Sequence, residues 1–245
     1  GVVSEETATG LEDTRAADLA SLDDGSITSW LIGLLGGSTD APEIRLTIVD
    51  RLQTVAANAL AGHTGAAVAL DPTTGAVLAY VSSPSVDPNE IIAGSLGIEE
   101  FSADTVSLDR VSFRLLPPGS IFKTLVAAVA LEQGASPESL FDDQSSYLAP
   151  NAGQEIGNVT GGTCAGGGQI TLREALAVSC NTVFAELAVD LGGSAIAEMT
   201  ARAGFNTSLP FEFGIAIGSI PSGSRLNANA GALAQTGLGE RDVRT

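Results

Sequence analysis

The sequence contains a single lysine, and this lysine lies three residues after a serine. Ser120 and Lys123 stand in "PPGSIFKTLVAAVALEQG", where a Pro-Pro-Gly turn leads into a predicted helix that Gly134 ends. Residues 125–131 are all apolar, which predicts that the body of this helix is buried. Side chains three residues apart lie on one face of a helix. The sequence therefore predicts a lysine amine beside a serine hydroxyl at the start of a buried helix.

A serine and a lysine in this arrangement can perform nucleophilic catalysis. Burial disfavours the charged form of a lysine, and a neutral amine can remove the proton from a serine hydroxyl. The start of a helix has free N–H groups and a partial positive charge, which stabilise the oxyanion that forms when a serine attacks a carbonyl. The alternative is a serine that caps the helix beside an unrelated surface lysine. The buried helix and the position of the only lysine favour the catalytic interpretation.

A second candidate group, Ser179 and Asn181 in "VSCN", lies between two predicted helices. The first helix opens with a capping box formed by Thr171 and Glu174, and the second ends at Gly192. Serine and asparagine are favoured helix caps, so capping alone can explain this stretch. The chemical interpretation is a serine that relays a proton and an amide that orients a substrate.

Composition excludes several classes of partner and site. The net charge of -18 argues against binding to nucleic acid or to an anionic membrane surface. Two cysteines and one histidine are too few for a tetrahedral zinc site. No run approaches the roughly 20 apolar residues of a membrane span, and no signal-peptide pattern opens the chain.

The order of predicted elements indicates an α+β protein. Residues 1–40 are polar and acidic, and they precede a short strand at 44–48 and a helix that Asp50 could cap. A hairpin follows, with strands at 66–70 and 76–81 that are apolar on both faces, which predicts cover on each side of the sheet. The remainder is dominated by buried helices. This order predicts helices packed on an antiparallel sheet rather than repeated βαβ units.

Together the motifs resemble those of the penicillin-binding proteins and serine β-lactamases, which combine Ser-x-x-Lys, Ser-x-Asn and a later Lys-Thr-Gly. Five stretches are similar, in order, to the transpeptidase domain of class B penicillin-binding proteins and together cover about residues 41–245: "LTIVDRLQTVAANAL", "GAAVALDPTTGAVLAYVSSPSVDPN", "LLPPGSIFKTL", "ITLREALAVSCNTVFAELA" and "LAQTGLGERDVRT". The cysteine inside the second motif and residues 1–40 resemble the actinobacterial penicillin-binding protein A group.

The resemblance implies a penicillin-binding protein and serine β-lactamase-like fold. Residues 1–40 would be the linker from a membrane-side pedestal, and residues 41–245 the N-terminal part of the transpeptidase domain. No Lys-Thr-Gly occurs in the chain, although in the family this motif lies on a later strand of the central sheet. We therefore expect a fragment that continues past Thr245 and lacks C-terminal sheet strands. Such a fragment is expected to aggregate through an unpaired sheet edge and to react poorly with penicillin by itself.

The resemblance also implies the activity, a peptidoglycan D,D-transpeptidase that cross-links stem peptides. Ser120 would attack the D-Ala-D-Ala amide, Lys123 would be its base, Ser179 would pass the proton to the leaving amine, and Asn181 would hold the donor peptide. No cofactor or metal is expected. The implied partners are D-Ala-D-Ala stem peptides, β-lactam antibiotics and other cell-wall synthesis proteins. The implied location is the extracytoplasmic face of the bacterial cell membrane, with the anchor outside this chain.

Three points stay open from the sequence alone. A serine β-lactamase shares Ser-x-x-Lys, and a β-lactam sensor domain would keep the same four site residues, which argue against an inactive scaffold. The resemblance places the chain outside the cytoplasm, where Cys164 and Cys180 can form a disulfide. Because a sequence does not give Cα distances, a disulfide and two free thiols are both compatible with it. The type of parent protein, for elongation, division or sporulation, is not specified either.

Overall fold

The computed structural model describes residues 11–15, 31, 34–35, 44–85 and 109–245. These residues form two compact units. The first unit holds the described residues up to Arg114 together with Pro210–Ala216, and the second holds Leu115–Leu209 and Ile217–Thr245. Most of the linker predicted at residues 1–40 lies outside the described residues.

An antiparallel hairpin is the centre of the first unit. Strand β1 (Gly65–Leu70) pairs with β2 (Val77–Ser83), which confirms the predicted hairpin. In its turn the Asp71 carboxylate accepts a hydrogen bond of 2.8 Å from the Thr73 N–H, a pattern that stabilises turns. The helices of this unit in the described residues are α1 (Leu11–Thr14), α2 (Asp50–Leu60) and α3 (Arg110–Phe113).

Two predictions for the segment before the hairpin are wrong. Residues 44–48 form no strand. Thr47 Oγ1 and the Val49 N–H each donate a hydrogen bond to a carbonyl of β2, but two isolated bonds do not form a continuous ladder. Asp50 does not cap helix α2, since it lies in the first turn and Val49 occupies the N-cap position without a side-chain bond. An acidic residue in the first turn still interacts favourably with the helix dipole.

The predicted cover on both faces of the hairpin is also wrong. Alternate residues of β1 are exposed, with Val68 47% and Leu70 58% accessible. Their neighbours on the other face are half-buried, and helix α2 contacts both strands. Apolar residues on two faces become buried only where a second layer exists, and the described residues leave this face of β1 open.

The second unit consists mainly of helices with two short strand pairs. A 3₁₀ turn (Gly119–Phe122) leads into helix α4 (Lys123–Glu132). The described strands are β3 (Leu140–Asp142), β4 (Ser146–Tyr147), β5 (Ile156–Gly157) and β6 (Gln169–Thr171), with β3 antiparallel to β6 and β4 antiparallel to β5. The later helices are α5 (Leu172–Ala177), α6 (Asn181–Leu191), α7 (Gly193–Arg202), α8 (Gly223–Asn227) and α9 (Ala230–Gly237).

Helix α6 is the core of this unit. Its buried side chains include Val183, Phe184 and Ala188, and α4, α7 and α9 contact it. Gly237 allows α9 to approach closely, because a Cβ at that position would overlap the Ala188 side chain.

The predicted ends of α4 and α6 and the capping box of α5 are confirmed. Helices combined with antiparallel strands confirm the predicted α+β class.

Candidate active site

Ser120 lies in the 3₁₀ turn Gly119–Phe122, which we call the serine turn. Gly119 enters this turn with φ of 61°, a conformation that glycine adopts without steric penalty. Helix α4 begins directly afterwards at Lys123, so the predicted helix opens with a tighter turn than expected. Ser120 is exposed. Its hydroxyl is therefore accessible to a molecule from solvent.

Residues 239–245 hold the serine turn in place. The Gly119 N–H donates to the carbonyl oxygen of Gly239 at 2.9 Å, and Leu116 and Thr245 exchange backbone hydrogen bonds of 2.8 and 2.9 Å. Gly239 has φ of 71°, and a Cβ at this position would overlap the Gly119 carbonyl. Such a close backbone approach requires glycine. Gly239 therefore determines where the chain presents Ser120.

Lys123 is completely buried, and its ammonium contacts the second candidate group. Its Nζ lies 2.7 Å from the Ser179 carbonyl oxygen, 3.0 Å from Ser179 Oγ and 2.6 Å from Asn181 Oδ1. The Phe184 ring centroid lies 5.9 Å from Nζ and forms an apolar wall of the site. The fold thus joins three of the four predicted site residues across sequence separations of 56 and 58 residues.

The environment of Lys123 changes its acidity. Burial lowers the pKa of Lys123 from 10.5 to about 8, and the Glu240 carboxylate acts in the opposite direction by favouring the ammonium. A base whose pKa lies near neutral pH can exchange a proton during catalysis. The predicted neutral-amine chemistry therefore has a physical basis in the packing around this side chain.

Ser120 does not share the lysine's hydrogen bonds. An ammonium has three donors, and all three are directed to Ser179 and Asn181. Among the described residues, Ser120 Oγ makes no hydrogen bond with Lys123 Nζ. When the amine is neutral it has a lone pair, and then the Ser179 hydroxyl can donate to it across the same 3.0 Å. Ser120 and Lys123 are only three residues apart in sequence, but the hydrogen bonds of Lys123 join it to the second motif instead.

Ser179 has a backbone conformation that is unusual for serine. Its φ is 57°, in the left-handed region that favours glycine. The Ser179 N–H donates to the Leu176 carbonyl and the Cys180 N–H to the Ala175 carbonyl, which is the Schellman arrangement at the end of helix α5. Strain of this kind is retained where the surrounding contacts require it. Here this conformation directs the carbonyl oxygen and the hydroxyl of Ser179 toward Lys123 Nζ.

A disulfide between Cys164 and Cys180 joins the second motif to the loop before strand β6. The Cα atoms are 5.7 Å apart, within the usual range for such a bridge. On the other side of the motif, Asn181 Nδ2 donates to the Gly157 carbonyl at 3.0 Å. Of the alternatives left open by the sequence, the structure therefore contains the disulfide rather than two free thiols.

Asp143 anchors the same loop. Its potential ligand atoms lie within 4.8 Å of those of Cys164 and Cys180, but the two sulfurs are bonded to each other. The Asp143 carboxylate accepts hydrogen bonds from the N–H groups of Cys164, Ala165 and Gly167, at 2.6, 2.7 and 2.8 Å. Burial alone would raise the pKa of Asp143, yet these three N–H groups hold it below its ordinary value. Asp143 therefore stabilises the backbone of the loop that carries Cys164.

Sequence reasoning missed Gly239, Glu240 and Asp143. The first two lie in "TGLGERDVRT", which the sequence marked only as a stretch similar to the family. A glycine that follows a short helix was a signal for a turn, but not for contact with a segment 120 residues earlier, since Gly119 and Gly239 meet only in the fold. Asp143 gave no signal, because its three partners are backbone groups.

Residues 65–244 match the protein family described as the penicillin-binding protein transpeptidase domain. The chain belongs to this family. The assignment made from the Ser-x-x-Lys and Ser-x-Asn motifs is therefore confirmed, and so is the predicted fold family.

Curated relatives agree with this family. The peptidoglycan D,D-transpeptidase PbpA of Mycolicibacterium smegmatis is 32% identical over 254 residues, which cover 97% of this chain and 50% of that protein. Penicillin-binding protein 3 of Bacillus subtilis is 31% identical over 212 residues, which cover 84% of this chain and 31% of that protein. The predicted similarity to the penicillin-binding protein A group is confirmed, and this chain spans about half the length of the PbpA relative.

Solved structures give the same result. The penicillin G acyl-enzyme complex of penicillin-binding protein A from M. tuberculosis has a TM-score of 0.88 and 28% identity, and the match covers 100% of this chain and 59% of that chain. The D,D-transpeptidase domain from Eggerthella lenta has a TM-score of 0.79 and 28% identity, covering 95% of this chain and 51% of that chain. The likeness extends over both units of the present chain.

Proposed function

We propose that this chain carries the acyl-enzyme site of a peptidoglycan D,D-transpeptidase. The observation that carries the proposal is the buried ammonium of Lys123, which bonds to Ser179 and Asn181 one turn away from an exposed Ser120. If Lys123 served only to fill space, an apolar residue would pack there better. The names of the relatives, peptidoglycan D,D-transpeptidases, support the same activity.

In the proposed acylation step, Ser120 Oγ attacks the carbonyl carbon of the penultimate D-Ala of a stem peptide. The hydroxyl proton passes to the neutral amine of Lys123 as the new C–O bond forms. The positive end of helix α4 stabilises the tetrahedral oxyanion. Collapse of this intermediate breaks the C–N bond, and Ser179, hydrogen-bonded to Lys123, relays the proton to the departing D-Ala amine.

In the proposed second step, the amine of a neighbouring stem peptide attacks the acyl-Ser120 ester. The same groups work in reverse, with Ser179 and Lys123 accepting the amine proton and Ser120 leaving as its hydroxyl. Asn181 holds the donor peptide through its side-chain amide. A β-lactam amide takes the place of D-Ala-D-Ala in the first step and leaves Ser120 acylated. Acyl-enzyme complexes of the M. tuberculosis relative with β-lactams support this part of the proposal.

We also propose the setting of the reaction. Substrates are D-Ala-D-Ala stem peptides, further partners are other cell-wall synthesis proteins, and the site faces the extracytoplasmic side of the bacterial membrane. The disulfide between Cys164 and Cys180 supports an oxidising compartment, because disulfides are rare in the cytoplasm. None of the helices in the described residues is sufficiently long and apolar to span a bilayer.

Reaction with a fluorescent penicillin tests the proposal. Because the chain contains no Lys-Thr-Gly motif, we expect the adduct to form slowly. It should nevertheless be stable, lie on Ser120 in mass spectrometry of peptides, and be absent from a Ser120→Ala variant that melts at the wild-type temperature. Because Ser120 is exposed and makes no side-chain hydrogen bond among the described residues, the substitution removes the nucleophile without disturbing the fold.

The time course of the adduct separates the alternatives. Rapid loss of the label would indicate a β-lactamase, and a stable adduct without release of D-Ala from a synthetic stem peptide would indicate a sensor. A label that persists on Ser120→Ala, mapped to another residue, would show that Ser120 is not the nucleophile.

A further inference from the structure

Helix α6, which carries Asn181, does not cap its own start. Its N-cap residue is Cys180, which makes no side-chain cap hydrogen bond, and its sulfur is bonded to Cys164. The first N–H groups of a helix need acceptors from elsewhere. Here the N–H groups of Asn181 and Thr182 both donate to one atom, Oδ1 of Asn158, at 3.0 and 3.1 Å.

The opposite side of the Asn158 amide is equally occupied. Its Nδ2 donates to the carbonyl oxygens of Gln144 and Gly162, both at 2.9 Å. An asparagine amide has two donors and one acceptor oxygen with two lone pairs, so each hydrogen-bonding position of this side chain is used. The half-buried Asn158 thus links the start of α6 to two separate points of the loop between β3 and β6.

Two further hydrogen bonds join the start of α6 to the same loop. Asn181 Nδ2 donates to the carbonyl of Gly157, directly before Asn158, and Thr182 Oγ1 donates to the Gln144 carbonyl at 3.1 Å. These bonds leave Asn181 Oδ1 free to face Lys123, which it contacts at 2.6 Å. The orientation of the Asn181 amide therefore depends on a loop that touches neither the serine turn nor the lysine through any hydrogen bond in the described residues.

We propose that Asn158 is a positioning residue for this site, which holds Asn181 and Ser179 against the Lys123 ammonium. Its Oδ1 accepts the N–H groups at the start of α6, which the N-cap residue Cys180 leaves without a side-chain cap. The catalytic consequence rests on the proposed function, whereas the effect on the lysine does not. Without Asn158 the start of α6 retreats from Lys123 and water reaches the ammonium.

A side-chain titration tests this directly, because the chain contains one lysine. Lysine labelled with ¹³C and ¹⁵N gives a single side-chain signal, which NMR follows from about pH 6 to 11. Burial sets the low pKa of Lys123, so we expect Asn158→Ala to move that pKa toward the ordinary lysine value. The matched control is Asn229→Ala, which removes the cap that Asn229 provides to Ala232 in helix α9. It should lower the melting temperature but leave the lysine signal unchanged.

The acylation rate supplies the second readout. We expect Asn158→Ala to lower the second-order rate with fluorescent penicillin by about tenfold to a hundredfold, as for a misplaced catalytic group. Asn158→Asp keeps the acceptor for both N–H groups but turns an oxygen toward the Gln144 and Gly162 carbonyls, so its rate should lie between those of the wild-type chain and Asn158→Ala. If the alanine variant does not fold, Asn158→Ser, whose shorter hydroxyl cannot reach both N–H groups, carries the same expectation.

The outcomes separate the two ideas. A folded Asn158→Ala protein with the wild-type lysine pKa and wild-type acylation rate overturns the positioning role. An equal change of the lysine pKa and the acylation rate in the Asn229→Ala control would show that lost stability explains both changes. This result would also overturn the positioning role. If the wild-type chain forms no penicillin adduct, the proposed function fails, and the lysine titration still decides the role of Asn158.

Discussion

At the level of single residues, the proposed chemistry depends most on Lys123. Its ammonium is completely buried, but three oxygen acceptors compensate part of the lost hydration. The remaining penalty lowers its pKa to about 8. A surface lysine would stay protonated at neutral pH and could not remove a proton from Ser120. In the proposed mechanism, burial of this amine is therefore the property that makes Lys123 a base.

Replacing Lys123 by arginine is expected to reduce acylation nearly as much as replacing it by alanine. A guanidinium keeps its proton at any working pH, and its planar fork is larger than the ammonium that the site encloses. Second-order rates with fluorescent penicillin compare the two variants. An arginine variant within about tenfold of wild type, equivalent to about 1.4 kcal/mol, would show that Lys123 is not the general base.

The acylation rate is expected to rise with pH with a midpoint near pH 8, because only the neutral form of Lys123 accepts a proton. Glu240 favours the ammonium, so Glu240→Gln should move the midpoint of this rise to lower pH. Rates measured from about pH 6 to 10 check this. The control, Glu138→Gln, removes an acid that pairs with Arg173 on the surface and should leave the midpoint in place. A midpoint that moves upward in Glu240→Gln would contradict the electrostatic assignment.

At the level of elements, three separate segments meet at the site. The serine turn and the first residue of α4 supply Ser120 and Lys123. The strained end of α5 and the start of α6 supply Ser179 and Asn181. The segment after α9 fixes the serine turn through Gly239. Each segment is short and irregular, and the buried helices behind them provide the rigidity that such loops require.

Gly239→Ala is expected to slow acylation by at least about tenfold, because its Cβ would displace the Gly119 carbonyl and with it Ser120. The control is Gly134→Ala, at the end of α4. Gly134 also has positive φ, 99°, but a Cβ there meets nothing within 4 Å. The positive φ costs both variants on the order of 1 kcal/mol of stability. Gly239→Ala should lose more than this because of its overlap with Gly119, and only this variant should also lose acylation. Equal acylation rates in the two variants would show that the position of the serine turn does not depend on Gly239.

At the level of the whole chain, the disulfide stabilises a region that has little regular structure. Residues 144–168 contain little regular structure, yet they accept the hydrogen bonds of the Asn181 and Thr182 N–H groups and of the Asn181 side-chain amide. Cys164 and Cys180 are separated by 16 residues in sequence, and their bridge closes that loop directly beside the site. A covalent link restricts the unfolded chain and so stabilises the fold.

Reduction of the disulfide is expected to lower the free energy of unfolding by on the order of 3 kcal/mol, the value for a closed loop of about 15 residues. Urea denaturation with and without a reductant measures the change. The control variant Cys164→Ser should have the low midpoint under both conditions, since it cannot form the bridge. A wild-type midpoint that does not respond to the reductant would show that the bridge adds no stability.

The sequence by itself determined the local features of this protein. Helix α4 with its apolar body, the capping box at Thr171, the glycines that end α4 and α6, and the hairpin all follow from patterns within about 20 residues. The Ser-x-x-Lys and Ser-x-Asn motifs, together with five longer stretches similar to the family, were sufficient to identify it. The predicted strand at 44–48 and the cap at Asp50 were wrong, because each needed a partner that local propensity does not supply.

Only the tertiary structure decided how the site is assembled. Lys123 meets Ser179 and Asn181 across more than 50 residues, and Asn158 and Gly239 act through backbone groups that any sequence possesses. The choice between a disulfide and free thiols depended on a Cα distance of 5.7 Å. Side-chain types reveal which chemistry is available, whereas burial, backbone strain and contacts distant in sequence determine whether the groups meet. For this reason the sequence yielded four candidate site residues but not the residues that hold them in place.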